Sequence, residues 1–129
     1  MVLTRDEILG RVDIATKAVE VPEWGGSIYI RQLSRGEQDV YLKRQYGNTQ
    51  LKQDTRAKNQ EIKGFNIYGH DAFICSMGIC DEQGQSIFTQ KDIVELDKKS
   101  GVVVGRLAKE IVEFSGMSGD VEALDELKN

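Results

Sequence analysis

The sequence predicts an α+β fold, mainly α: a small helical domain with an N-terminal β-hairpin packed on about four to five helices. Three observations carry that prediction. Apolar residues alternate with polar ones on both sides of a Gly-Gly pair over about 17–33, the pattern of a hairpin. Val103, Leu107, Ile111 and Phe114 recur at i, i+4, i+8 and i+11, one stripe of a helix. Thr4, Ser34 and Thr89 each precede by three residues an acidic side chain able to close a capping box. With 129 residues, 40% of them apolar, the chain reads as one domain over 1–129.

The first element is a short helix. Thr4 is its N-cap, Glu7 completes the box, and Leu3 and Ile8 stand where a hydrophobic staple places them. Gly10 marks its end. In the hairpin, Val19 and Val21 alternate with Lys17 and Glu20, and Ile28 and Ile30 alternate with Tyr29 and Arg31. Pro22 has no N–H for a ladder and belongs at a strand end. Trp24, the only tryptophan, sits in the turn, either folded back as a lid on the small core or exposed as an anchor for a partner.

The second helix starts at Ser34, where the hydroxyl can accept from the Glu37 N–H while the Glu37 carboxylate reaches back. Val40 and Tyr41 are its core candidates, and Gly47-Asn48 predicts a break near Gln45. A polar segment over about 46–63, lacking any 3.6-residue stripe, is expected to be mobile. Phe65, Tyr68, Ala72, Cys75 or Ser76, and Ile79 then give one face of a central helix, widened by Phe73 and Met77. Gly69 and Gly78 weaken it by roughly 1 kcal/mol each relative to Ala.

Asp81 to Gly84 reads as a turn. Thr89 then repeats the opening device, with Asp92 in place of Glu and a Phe88–Ile93 staple; one carbon shorter, Asp92 gives a less certain return bond. Ile93, Val94 and Leu96 are expected to face inward, with Lys98 and Lys99 at the negative helix end. Ser100-Gly101 bends the path into the striped helix, and Gly116 stops it. Ser118 opens a last short helix that leaves Val121, Leu124 and Leu127 as an exposed apolar patch.

No constellation carries bond-making chemistry, so no catalytic, cofactor-binding or metal site is expected. His70, Cys75 and Cys80 are five apart, roughly 140° around a helix axis, and cannot converge on a metal. The same spacing, about 7.5 Å along the axis, puts the two thiols beyond disulfide reach, so both are read as reduced and buried. His70 is expected at the surface beside Asp71. Gly25-Gly26 leads into a strand rather than a helix, so it is no phosphate loop. No apolar run reaches 18 residues, and Met1 to Glu7 lack the layout of a secretory signal, which makes a cytoplasmic location the default.

Charge is the remaining signal. The net charge is −4, yet residues 31–63 carry eight bases against four acids. The rest is correspondingly acidic, a split that favours contact between copies or docking on a charged partner. Candidate interaction residues are Trp24, Tyr29, Arg35, Lys43, Arg44, Leu124 and Leu127.

The combination of Val-Pro-Glu-Trp-Gly at 21–25 with Cys-Asp-Glu-Gln-Gly at 80–84, together with the Leu-Thr-Arg-Asp-Glu-Ile opening, resembles the tail assembly chaperones of long-tailed, non-contractile bacteriophages. The resemblance covers about 3–42 and 75–118. It implies a non-enzymatic protein, without cofactor, that binds the tape measure protein and self-associates during tail morphogenesis. It also implies a host-cytoplasmic protein absent from the finished virion, with a longer form made by ribosomal frameshifting that could bring in the tail tube protein. Two alternatives stay open: an interaction domain of another virion or host assembly, and a nucleic-acid-binding module using the basic 31–63 segment, which the acidic balance disfavours.

Overall fold

The computed structural model describes residues 1–52 and 69–117, and for residues 45–52 only the course of the backbone helix. The expectations for most of the polar 46–63 segment, for Phe65 and Tyr68, and for a terminal helix bearing Leu124 and Leu127 lie outside the described residues.

In chain order the elements are helix α1 (Arg5–Gly10), strand β1 (Thr16–Val21), strand β2 (Gly26–Arg31), helix α2 (Arg35–Lys52), helix α3 (His70–Gly78), strand β3 (Ile79–Cys80), helix α4 (Ile93–Leu96) and helix α5 (Gly101–Phe114). Short 3₁₀ turns at Pro22–Trp24 and Gln90–Asp92 complete the set. The expected α+β, mainly helical domain is what the chain forms.

The hairpin has the register its alternation implies, with Val19 opposite Ile28 and Val21 opposite Gly26. Its turn is a 3₁₀ turn closed by Gly25, whose φ of 79° lies in the left-handed region and whose N–H donates to the Pro22 carbonyl at 3.0 Å. A third strand was not expected. Ile79 and Cys80 leave the end of α3 and pair antiparallel with Ile30 and Tyr29, so β2 is the central strand of a three-stranded sheet. Ile79, read as the last position of a helical stripe, belongs to this strand instead; a two-residue ladder has no period of its own.

The sheet and four helices enclose a single core, to which α2 gives Tyr41 and α4 gives Leu96. Val21 and Ile30 from the sheet, Ala72, Ile74 and Cys75 from α3, and Val103, Leu107 and Ile111 from α5 are all buried, and Met117 closes the end. The stripe on α5 therefore docks as its spacing requires. At Gly78 the Ile111 side chain of α5 packs directly on the α3 backbone: a Cβ there would meet Ile111 Cδ1 at 2.7 Å. A glycine that reads in sequence as a weak point of α3 is what lets the two helices touch.

Three expectations fail for identifiable reasons. Helix α2 runs on through Gly47-Asn48 to Lys52, past the expected break near Gln45; a break signal raises the cost of a helix without forbidding it. Val40 is 52% exposed and only Tyr41 of that pair is buried, because the core lies along one side of α2. Val94 is 63% exposed while Leu96 is buried, since α4 is a single turn and presents only part of its circumference inward.

Candidate protein-docking site

The second helix is anchored by a hub that combines the predicted cap with a residue from the sheet. The Ser34 N–H donates to Glu37 Oε1 at 2.9 Å, and the Glu37 N–H donates to Ser34 Oγ at 3.2 Å, which is the capping box. Arg31, leaving β2, adds a fork: Nη1 donates to Glu37 Oε1 at 2.8 Å and Nη2 donates to Oε2. Burial alone would raise the Glu37 carboxyl, but the Arg31 fork and the Ser34 amide outweigh it and hold it below the usual range. The same pairing raises Arg31. On the other side, Gln38 Nε2 donates to the Leu33 and Ser115 carbonyls at 3.2 Å each, and Gln32 Nε2 donates to the Phe114 carbonyl at 3.0 Å. These amides satisfy orphan carbonyls at the end of α5 and lock the β2–α2 corner onto it.

This corner opens a groove of ≈ 340 Å³ between the first turns of α2, the outer side of α3 and the segment 86–90. Phe73 and Ser76 are buried at its base, Val40 and Met77 line its sides, and Phe88 completes the apolar wall. The wall is fixed from below, for Ser86 Oγ donates to the Met77 carbonyl at 3.0 Å. It is fixed from above by the cap of the next turn. There the Thr89 N–H donates to Asp92 Oδ2 at 2.9 Å, so the return bond in doubt for a shorter carboxylate does form. Glu37 is the ionisable side chain in the lining.

Beside the groove lies an aromatic stack. His70, expected at the surface, is 6% exposed, and its ring packs on Tyr41 with centroids 4.3 Å apart and 26° between planes. His70 is the first residue of α3, capped by Gly69 in the left-handed region at a φ of 68°. Among the described residues, neither ring nitrogen of His70 has a hydrogen-bond partner. Burial, helped by the nearby Arg44 charge, pushes its pKa down to about 4, so the ring is neutral at pH 7. Arg44 lays its guanidinium over the Phe73 ring, 4.8 Å from the centroid.

The sequence-derived candidates are dispersed. Arg44 is half-buried over Phe73, a lining residue of the groove, while Arg35 and Lys43 are exposed on α2 and are not among the lining residues, Arg35 lying 3.8 Å from Asp39. Trp24 is 40% exposed at the hairpin tip, where Glu23 forms a fork with Arg106 of α5, with Nη1 to Oε2 at 2.7 Å. Tyr29 is half-buried in the central strand opposite Cys80. Leu124 and Leu127 lie outside the described residues. Sequence reasoning placed Phe73 and Met77 on a widened stripe of a central helix and Phe88 in a staple with Ile93, and it did not foresee the groove that they line. Its one signal was that Phe73 and Met77, four apart, sit off the main stripe of α3.

The thiols offer no chemistry here. Both are free and buried; burial pushes Cys75 up to about 12 and also raises Cys80. Among the described residues, no group of three or more His, Cys, Asp or Glu side chains is placed to hold a metal.

A family model described as phage tail assembly chaperone matches residues 11–128. The chain belongs to the phage tail assembly chaperone family. The solved structure of the bacteriophage HK97 tail assembly chaperone is similar in fold, with a TM-score of 0.55 at 19% identity, covering 78% of this chain and 85% of that one. Comparison with curated protein sequences finds no significant match. Helix α1 falls outside the residues that the family model matches.

Proposed function

We propose that this tail assembly chaperone holds an amphipathic helical segment of the tape measure protein in the groove bordered by Val40, Phe73, Met77 and Phe88, and self-associates along that client during tail morphogenesis in the host cytoplasm. The observation that carries the reading is the groove itself, in a chain whose family is shown over 118 of its residues. A long client helix exposes an apolar stripe that aggregates until it is covered, and a helix-in-groove contact covers it through i, i+3, i+4 anchors. Met77 on one side of the groove suits a client of irregular sequence, because an unbranched thioether repacks easily. Lys43, one turn beyond Val40 on α2, favours an acidic position flanking the client stripe.

The test is co-expression with helical fragments of the tape measure protein from the same phage. The fragments are expected to co-purify with the unaltered chain and to be lost with Met77→Glu, which places a charge in the groove. Equal recovery with both would remove the groove from the function. Light scattering across a salt series examines the self-association: oligomers that shrink as salt rises support the contribution of the basic 31–63 segment, and an unchanged size removes it.

A further inference from the structure

The groove has a polar signature beside its apolar one, and the direction of its hydrogen bonds fixes it. Ser76 Oγ donates to the Phe73 carbonyl at 2.6 Å, and Ser86 Oγ donates to the Met77 carbonyl at 3.0 Å. A carbonyl can only accept, so each lining hydroxyl has committed its one proton inward and keeps only lone pairs for a ligand. Thr89 Oγ1 lies 3.4 Å from Asp92 Oδ2, an acceptor that draws its proton the same way. Glu37 adds a charged acceptor. Its Oε1 receives Arg31 Nη1 at 2.8 Å and the Ser34 N–H at 2.9 Å. Among the described residues Oε2 receives Arg31 Nη2 alone, which leaves room for a second donor. Arg31 does not mask that position. Its Nη hydrogens are directed at Glu37, the Gln32 carbonyl and Ser86 Oγ, and its side chain is 11% exposed against 30% for Glu37.

We propose that Glu37 makes the groove selective for client helices that carry a lysine or arginine beside the apolar stripe. This rests on reading the groove as a protein-docking site, and it names the chemistry of what docks. A helix laid over Val40, Met77 and Phe88 strips water from Glu37 Oε2 and from Ser86, which Arg31 Nη2 holds at the same end of the groove. An apolar client residue there leaves a charged acceptor short of a donor in a dry contact. An ammonium or guanidinium group supplies the donor and matches the charge. A client carboxylate meets like charge and further acceptors, so the groove also rejects. Because Arg31 offsets the Glu37 charge at a distance, the preference acts through contact and not through long-range steering. Lys43 stands six residues along α2 from Glu37, outside the lining, and takes no part in this contact.

The experiment is titration calorimetry of the full chain with a helical fragment of the tape measure protein from the same phage. Each lysine and arginine bordering the fragment's apolar stripe is changed in turn to Gln and to Glu, which leaves the chaperone untouched. At one such position the change to Gln is expected to weaken binding about tenfold, and the change to Glu further. Against Glu37→Gln, which keeps an acceptor for the Ser34 N–H and whose folding circular dichroism checks, the same change to Gln is expected to cost less than about twofold. Basic positions that can all be replaced without loss overturn the proposal. So does a loss of equal size against the Glu37→Gln chain. Fragments that do not bind, or that bind equally to Met77→Glu, remove the functional reading and this contact with it. A fragment lost with Met77→Glu but indifferent to its own basic residues overturns this inference alone and leaves the functional reading standing.

Discussion

Replacing Gly78 by Ala asks whether the packing of Ile111 of α5 on α3 depends on a missing side chain. The added methyl would meet Ile111 Cδ1 and Cγ2 at 2.7 Å and Cγ1 at 2.9 Å, where carbon atoms normally rest about 3.5–4.0 Å apart. Ile111 is fully buried and β-branched, so it has no rotamer to retreat into. Either the helices separate by several tenths of an ångström or Ile111 leaves its well. Overpacking of this kind costs about 1–3 kcal/mol. Against it stands a gain of at most roughly 0.5–1 kcal/mol from removing glycine's backbone freedom, smaller at the last residue of a helix. The expected net loss is about 1–2 kcal/mol. Urea unfolding followed by far-ultraviolet circular dichroism measures it. A double-mutant cycle with Ile111→Ala isolates the cause. Ile111→Ala alone should cost about 2–5 kcal/mol, and about 1 kcal/mol less when Gly78→Ala is already present. A Gly78→Ala protein as stable as the original, or more so, would refute the packing account and restore glycine as a plain weak point of α3.

Three further outcomes are expected. His70 has a folded pKa of about 4 against an ordinary value near 6.5, so the unfolded chain takes up its proton first. Stability is therefore complete above about pH 6.5 and falls by up to roughly 3 kcal/mol as pH drops towards 4. His70→Phe, which keeps the ring on Tyr41, should flatten that slope in denaturant titrations at several pH values, and an unchanged slope would show that other groups cause it. Glu37→Gln should destabilise at pH 7 by about 1–2 kcal/mol, because it leaves the half-buried Arg31 fork without its counter-charge. Since the Glu37 carboxyl is held low, its contribution is present above the ordinary carboxylate pKa and lost as pH falls through the lowered value; thermal melts at pH 7 and pH 3 read the difference. Cys75 and Cys80 should resist a thiol reagent in the native chain and both react once urea unfolds it; prompt native labelling of Cys75 would contradict its burial.

The sequence by itself determined whatever is closed within one turn or one hairpin. The boxes at Thr4, Ser34 and Thr89, the β1–β2 register and the stripe on α5 all depend on residues three, four or a few positions apart, and all appear. Only the tertiary structure decided what depends on distant partners. The pairing of β3 with β2 joins residues about fifty apart, and His70 is buried by Tyr41 from another helix. Gly78 takes its meaning from Ile111, and the groove exists because Phe73 and Met77 face a gap between α2 and the 86–90 segment instead of a third helix. An apolar side chain carries the same local signal whether packing covers it or leaves it open. Which of the two happens is fixed by how whole elements come to rest against each other, and that is where the candidate site of this chaperone was made.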